Sequence, residues 1–144
     1  MINKLNKKPS VFVADLTYDT NIISNDLFPL GIGYVIAYVK QVLAGELCIE
    51  QFKFPNELFD AIDRQPPDVL ALSYFPWNLN LTHFAAEYFR AKNPDGLIVY
   101  GGNSVPLTEE RQRKLLTQHE EIDVLVPYDG ELAFHEILKA YLRH

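Results

Sequence analysis

The chain has 144 residues, 48% of them hydrophobic and 22% charged, with a formal net charge of -6. That is one domain's length, able to bury about two thirds of its unfolded surface, and the composition excludes a disordered chain. The acidic balance excludes an electrostatic nucleic-acid binder, no apolar run reaches the length of a membrane span, and the single cysteine, Cys48, excludes an internal disulfide, so a cytoplasmic domain is expected.

Residues Met1–Pro9 carry Lys4, Lys7 and Lys8 with little to bury, and are expected to be a flexible lead-in (1–9) to a domain over 10–144. Ser10–Leu16 is a short β-branched and aromatic run, read as a strand. Thr17–Pro29 is polar and reads as a long loop. From Gly31 to Ala44, Ile32, Val35, Ile36, Val39, Val42 and Leu43 recur at helical spacing, and Gly45 stops the helix. Leu47–Phe54 alternates like a strand, with Cys48 read as a small buried hydrophobe. Asn56–Arg64 is a short helix with Asn56 as its cap, halted by Pro66 and Pro67.

Asp68–Phe75 is almost wholly apolar, as a strand buried on both faces must be. Asn80–Lys92 is helical, with Leu81, Phe84, Ala85, Tyr88 and Phe89 assigned to one side and His83 read as a solvated residue. Gly96–Tyr100 is a further buried strand. Thr108 caps a helix running to about Gln118. Ile122–Pro127 is a fifth strand, and Glu131–Leu142 a last helix.

Five strands alternating with five helices predict an α/β fold. The first expectation is a flavodoxin-like (Rossmann-like), doubly wound, five-stranded parallel sheet of order 2-1-3-4-5 with helices on both faces. In such sheets ligands sit beyond the carboxyl ends of the strands. Function is therefore expected in four loops: Thr17–Leu30, Tyr74–Leu79, Gly101–Leu107 and Tyr128–Glu131.

Several familiar ligands do not suit those loops. A dinucleotide fingerprint must follow the first strand at once; Gly31-x-Gly33 comes well after it, and Ile36 stands where the third glycine belongs. A Walker loop's Gly-Lys-Ser/Thr is absent. The loop at Thr17–Pro29 is too long and acidic for the phosphate nest of a flavodoxin. A phosphorylated receiver domain needs an Asp after strand three and a Lys after strand five. The chain has Ser73-Tyr74-Phe75 and Tyr128-Asp129 there, although Asp15 suits its acidic cluster. What remains suits a large, mostly uncharged ligand. Ser73 offers a hydroxyl at a strand end, and Gly101-Gly102 lets another molecule approach the backbone. Tyr74, Phe75, Trp77 and Tyr128 supply flat apolar surface. Asn78 and Asn103 offer hydrogen bonds that fix orientation.

Four segments, in order, resemble one family. "FPLGIGYVIAYVKQ", "PPDVLALSYFPWN", "NPDGLIVYGGNSVP" and "IDVLVPYDGELAFHEIL" are similar to segments of the cobalamin-binding N-terminal domain of cobalamin-dependent radical SAM enzymes. The resemblance spans about residues 10–142. It implies cobalamin as cofactor and a binding set of Leu30, Gly31, Ser73, Tyr74, Trp77 and Asn78, continued by Gly101, Gly102, Asn103, Tyr128, Gly130 and Glu131. The nucleotide tail is then expected beside Ser73 and Gly101-Gly102, with the corrin over the Tyr74–Asn78 and Thr17–Leu30 loops. Truncating Trp77 or enlarging Gly102 is expected to weaken binding. Gly31 and Gly33 start the first helix beside the ligand loop, or Gly31 only permits a sharp turn after Pro29.

Two departures shape the expectation. Better-known cobalamin domains carry Asp-x-His-x-x-Gly after the first strand, and Asp15–Thr20 has no histidine; His83, His119, His135 and His144 all lie elsewhere. Cobalt is then expected without a histidine from the chain, no residue is assigned as a metal ligand, and none as catalytic. The final motif has Leu132 and Ala133 where the family has a further acid, and Glu131 is explained equally by the helix dipole. One cysteine cannot hold the iron–sulfur cluster of a radical SAM domain, so that cluster and S-adenosylmethionine are expected only in a linked domain, in cis or in trans. The chain is then a fragment of a longer enzyme or a stand-alone domain. The competing expectation is a ligand-free flavodoxin-like interaction module using its aromatic rim.

Overall fold

A computed structural model describes residues 7–18 and 28–144. Residues 1–6 of the expected lead-in and residues 19–27 of the expected first loop lie outside the described residues. Five strands and five helices alternate. They are β1 (Ser10–Ala14), α1 (Leu30–Val42), β2 (Cys48–Phe52), α2 (Pro55–Arg64), β3 (Val69–Ser73), α3 (Leu79–Lys92), β4 (Leu97–Gly101), α4 (Glu109–Gln118), β5 (Val124–Val126) and α5 (Gly130–Leu142). All strand pairs are parallel, and the order is β2-β1-β3-β4-β5. The expected flavodoxin-like sheet is the one found.

Period-two alternation splits the strands between two cores. Val11, Val13, Val69, Ala71 and Val99 face α1 and α5, where they meet Ile32, Ile36, Val39, Phe134 and Leu138. Phe12, Leu70, Leu72, Ile98 and Tyr100 face the other way, against Leu58, Ile62, Ala85, Phe89 and Leu115. β3 is buried at every position, which explains its unbroken apolar run.

The lower edge of the sheet is tied by polar side chains. Asp68 accepts from the Ser10 backbone N–H at 2.7 Å and from its hydroxyl at 3.1 Å, locking β1 to β3. Arg90 donates to the carbonyls of Pro94, Gly96 and Glu121 and to the Asp123 carboxylate. One planar guanidinium thereby fixes α3 to both neighbouring strand entries.

Four local expectations need correction. Helix α2 starts one residue earlier than read, with Pro55 inside its first turn and Phe54 at the cap position, so Asn56 is not the cap; proline's fixed φ suits a first helical position. On α3 the buried stripe is Thr82, Ala85, Ala86 and Phe89. Small residues let this helix sit close on the sheet, while exposed Phe84 turns aside to meet Phe59 of α2 edge-on at 5.5 Å. Cys48 is exposed. It begins an edge strand and opens onto a groove with Lys7, Lys8, Arg64 and Gln65. His83 is not solvated, because Tyr74 and Tyr100 on one side and His119 on the other enclose it.

Candidate functional site

A cleft of about 290 Å³ opens at the carboxyl edge of the sheet. Its floor is Val13, Ala71, Val99 and Val126, from four adjacent strands, and its walls come from α1 and α5. The right-handed crossovers put both helices on one face with their N-termini at the rim. They pack together closely: a Cβ on Gly130 would stand 3.3 Å from Val35 Cγ2. The floor is open because Ala71 is small and Gly101 has no side chain. Gly31, in the first turn of α1, has nothing within 4 Å of where its Cβ would be.

Of the residues assigned from sequence, Gly31, Ser73, Gly101, Gly102, Asn103, Tyr128, Gly130 and Glu131 line this one cleft. Leu30, exposed at the start of α1, borders it in sequence without lining it. Tyr74 points into the opposite core, where its hydroxyl meets His83 Nε2 at 3.1 Å. Asn78 is 0% exposed and holds the loop after β3: its Oδ1 accepts from the Phe75 N–H at 2.9 Å, and its Nδ2 donates to the Leu16 carbonyl at 3.1 Å. Trp77 is exposed and stacks on Phe75, with centroids 4.7 Å apart and planes at 8°. Phe75, not Trp77, lines the cleft.

Two backbone positions are special. Gly102 has φ +105, and a Cβ there would fall 2.9 Å from the Tyr74 carbonyl oxygen. The same turn is bonded in both directions: Tyr74 N–H donates to Gly101 O at 2.6 Å, and Ser104 N–H donates to Tyr74 O at 3.0 Å. Gly102 is therefore required by the fold, whatever binds above it. Tyr128 has φ 67 and is 73% exposed. A non-glycine residue held left-handed costs about 1 kcal/mol or more, and such strain clusters at ligand clamps and switch regions.

The binding set assigned from sequence omits Asp15 and Asp129, and Phe75, which sequence named only as apolar surface, lines the cleft as well. Asp15 follows the β1 core residues directly, and that position is the available signal. With Glu131 the cleft holds three carboxylates and no basic side chain among the described residues that line it. Its side chains mainly accept hydrogen bonds, and the N-terminal ends of α1 and α5 add positive potential at the rim. Burial pushes the Asp15 carboxyl above its usual range, with Lys53 pulling it back part of the way. An aspartate in the unfolded chain titrates near about 3.9, so the folded state holds this proton more tightly. Keeping Asp15 ionised thus costs stability at neutral pH, and the cost vanishes as pH falls below about 4. Asp15→Asn is expected to raise the thermal midpoint at pH 7 and to leave it unchanged at pH 3. An equal shift at both values would contradict this account.

No protein-family model matches the chain. It is 35% identical over 118 residues to the 2-(S-pantetheinyl)-carbapenam-3-carboxylate methyltransferase of Streptantibioticus cattleyicolor, covering 76% of this chain and 16% of that protein. It is 38% identical over 76 residues to the cobalamin-dependent radical SAM methyltransferase TokK of Streptomyces tokunonensis, covering 53% of this chain and 11% of TokK. The chain thus spans less than a fifth of the length of either relative. Among solved structures it superposes on the cobalamin-dependent S-adenosylmethionine radical enzyme OxsB with aqua-cobalamin bound, at a TM-score of 0.69 and 18% identity, over 94% of this chain and 19% of OxsB. That superposition shows the fold. With the sequence relatives it bears out the resemblance to the cobalamin-binding part of cobalamin-dependent radical SAM enzymes.

Proposed function

We propose that this chain is a cobalamin-binding domain that holds the cofactor at the carboxyl edge of its sheet for a radical SAM domain. The observation that carries the reading is the cleft itself, in a chain with sequence similarity to these methyltransferases. All four segments that carry the family resemblance contribute lining residues, around a floor cleared by Ala71 and Gly101.

The fit is chemical as well as steric. The cleft volume lies at the low end for small-molecule pockets, so it takes one part of a large ligand and leaves the rest to the rim. Corrinoid side chains are rich in amide donors, and Asp15, Asp129 and Glu131 are acceptors. Ser73, Gly31, Gly101 and Asn103 would hold the inserted part, with Phe75 and Tyr128 offering apolar surface at the mouth. Bound cobalamin supplies a cobalt centre able to carry a methyl group. The chain's own part is to bind and orient it and to exclude water from the inserted portion. All four histidines lie among the described residues and none lines the cleft, in keeping with a cobalt centre that receives no histidine from this chain.

A second reading is favoured by the exposed apolar residues at and near the N-terminal ends of α1 and α5: Phe28, Leu30, Tyr34, Tyr128 and Leu132. Such a rim suits a protein partner, with or without cofactor. Titration with hydroxocobalamin followed by gel filtration separates the two. The proposal expects coloured protein with about one equivalent of corrinoid and no spectral sign of histidine ligation. A colourless protein peak at high corrinoid concentration would favour the interaction module.

A further inference from the structure

On the sheet face opposite the cleft, three side chains of metal-ligand type converge from distant parts of the chain. His83 lies in the second turn of α3, His119 caps the end of α4, and Glu121 follows two residues later. No member of this group lines the cleft. We propose that His83, His119 and Glu121 form a binding site for a divalent transition-metal ion, zinc foremost.

The spacing carries the proposal. The Glu121 Oε1 atom stands 3.4 Å from His83 Nδ1 and 3.2 Å from His119 Nδ1, and the three ligand atoms all lie within 4.8 Å of one another. Ligands bound to zinc at about 2.0–2.1 Å in a tetrahedron are about 3.3 Å apart, which both Glu121–histidine separations already match. Two imidazoles and one carboxylate are a known zinc donor set, and three protein ligands leave a fourth position for water.

The surroundings orient the ligands. Tyr74 OH stands 3.1 Å from His83 Nε2. With the Nε2–H donating to that oxygen, Nδ1 keeps its lone pair and faces Glu121; such outer hydrogen bonds orient metal-bound histidines. Tyr100 OH, 3.1 Å from the same Nδ1, donates to it in the absence of metal and would have to turn away. The His83 and His119 rings lie parallel, 3.5 Å apart and at 9°, so the more exposed His119 ring would have to rotate for both in-plane lone pairs to meet one ion. Arg90 pins the segment from behind by donating to the Glu121 carbonyl at 2.9 Å. The site is enclosed but reachable: the side chains of His83 and Glu121 are 13% and 11% exposed, and that of His119 is 28% exposed. A bound ion would clamp α3 to the segment entering β5.

The test is a zinc titration of tag-free, chelator-treated protein against a chromophoric chelator, with thermal melts alongside. The proposal expects one zinc per chain and a higher melting temperature with zinc. His119→Ala and Glu121→Gln should each weaken binding by at least about tenfold and abolish the thermal shift. His144→Ala, on an exposed residue at the far end of the chain, should change neither. Circular dichroism of the variants establishes that they are folded. No uptake at one equivalent, or uptake unchanged in both variants, would overturn the proposal and leave a purely structural hydrogen-bonded cluster.

Discussion

Gly102→Ala is expected to lower stability by about 3 kcal/mol, whereas Gly101→Leu should leave a stable protein that no longer retains corrinoid. The two residues are neighbours with opposite situations. At Gly102 the backbone is left-handed and a Cβ would meet the Tyr74 carbonyl at 2.9 Å, a backbone atom that cannot swing aside. At Gly101 the nearest atom to an added Cβ is the Val126 carbonyl at 4.0 Å, and the position shares its face with Val99, toward the cleft. A leucine there would occupy the cleft and leave the turn untouched. Urea melts read the first effect, and hydroxocobalamin retention on gel filtration reads the second. Retention by Gly101→Leu within about twofold of the parent would remove this cleft as the binding site. Enlarging Gly102, which sequence alone nominates as the binding test, would mix loss of fold with loss of ligand.

The second large effect is expected at Asn78. Its side chain is fully buried and bridges the Phe75 N–H to the Leu16 carbonyl, which joins the loop after β3 to the chain leaving β1. Asn78→Ala strands one donor and one acceptor away from water. Each lost partner costs about 1–3 kcal/mol, so a total of about 2–6 kcal/mol is expected. Phe75 should also lose its fixed place at the cleft, and corrinoid affinity should fall with stability. Trp77→Ala provides the contrast, because it removes only an exposed stacking partner and is expected to change stability by less than about 1 kcal/mol. If Asn78→Ala melts like the parent chain, the bridging account fails.

Much of this fold is legible in the chain because its signals are local. A strand buried on both faces needs an unbroken apolar run, and Val69–Ser73 has one. Helices need a stripe of period 3.6, and α1 and α5 show it. Strict alternation then constrains the sheet to parallel order, and the order places the loops carrying Gly31, Ser73, Gly101 and Tyr128 on one edge. Where one stripe serves two neighbours, local pattern misleads: on α3 the large aromatics look like the core face, yet Ala85 and Ala86 face the sheet and Phe84 faces α2.

By itself, then, the sequence determined the alternation of elements, the sheet order and the edge at which the cleft opens, because periodicity and glycine placement are properties of neighbouring residues. Only the tertiary structure decided which side chains share a space. It turned Tyr74 away from the cleft and buried Asn78 as a loop bridge. It brought Asp15 and Glu131 into the lining of one cleft, and set His83 against His119 and Glu121 from a separate helix. Those pairings join residues tens of positions apart, and their distances follow from how helices settle on the sheet rather than from any spacing along the chain.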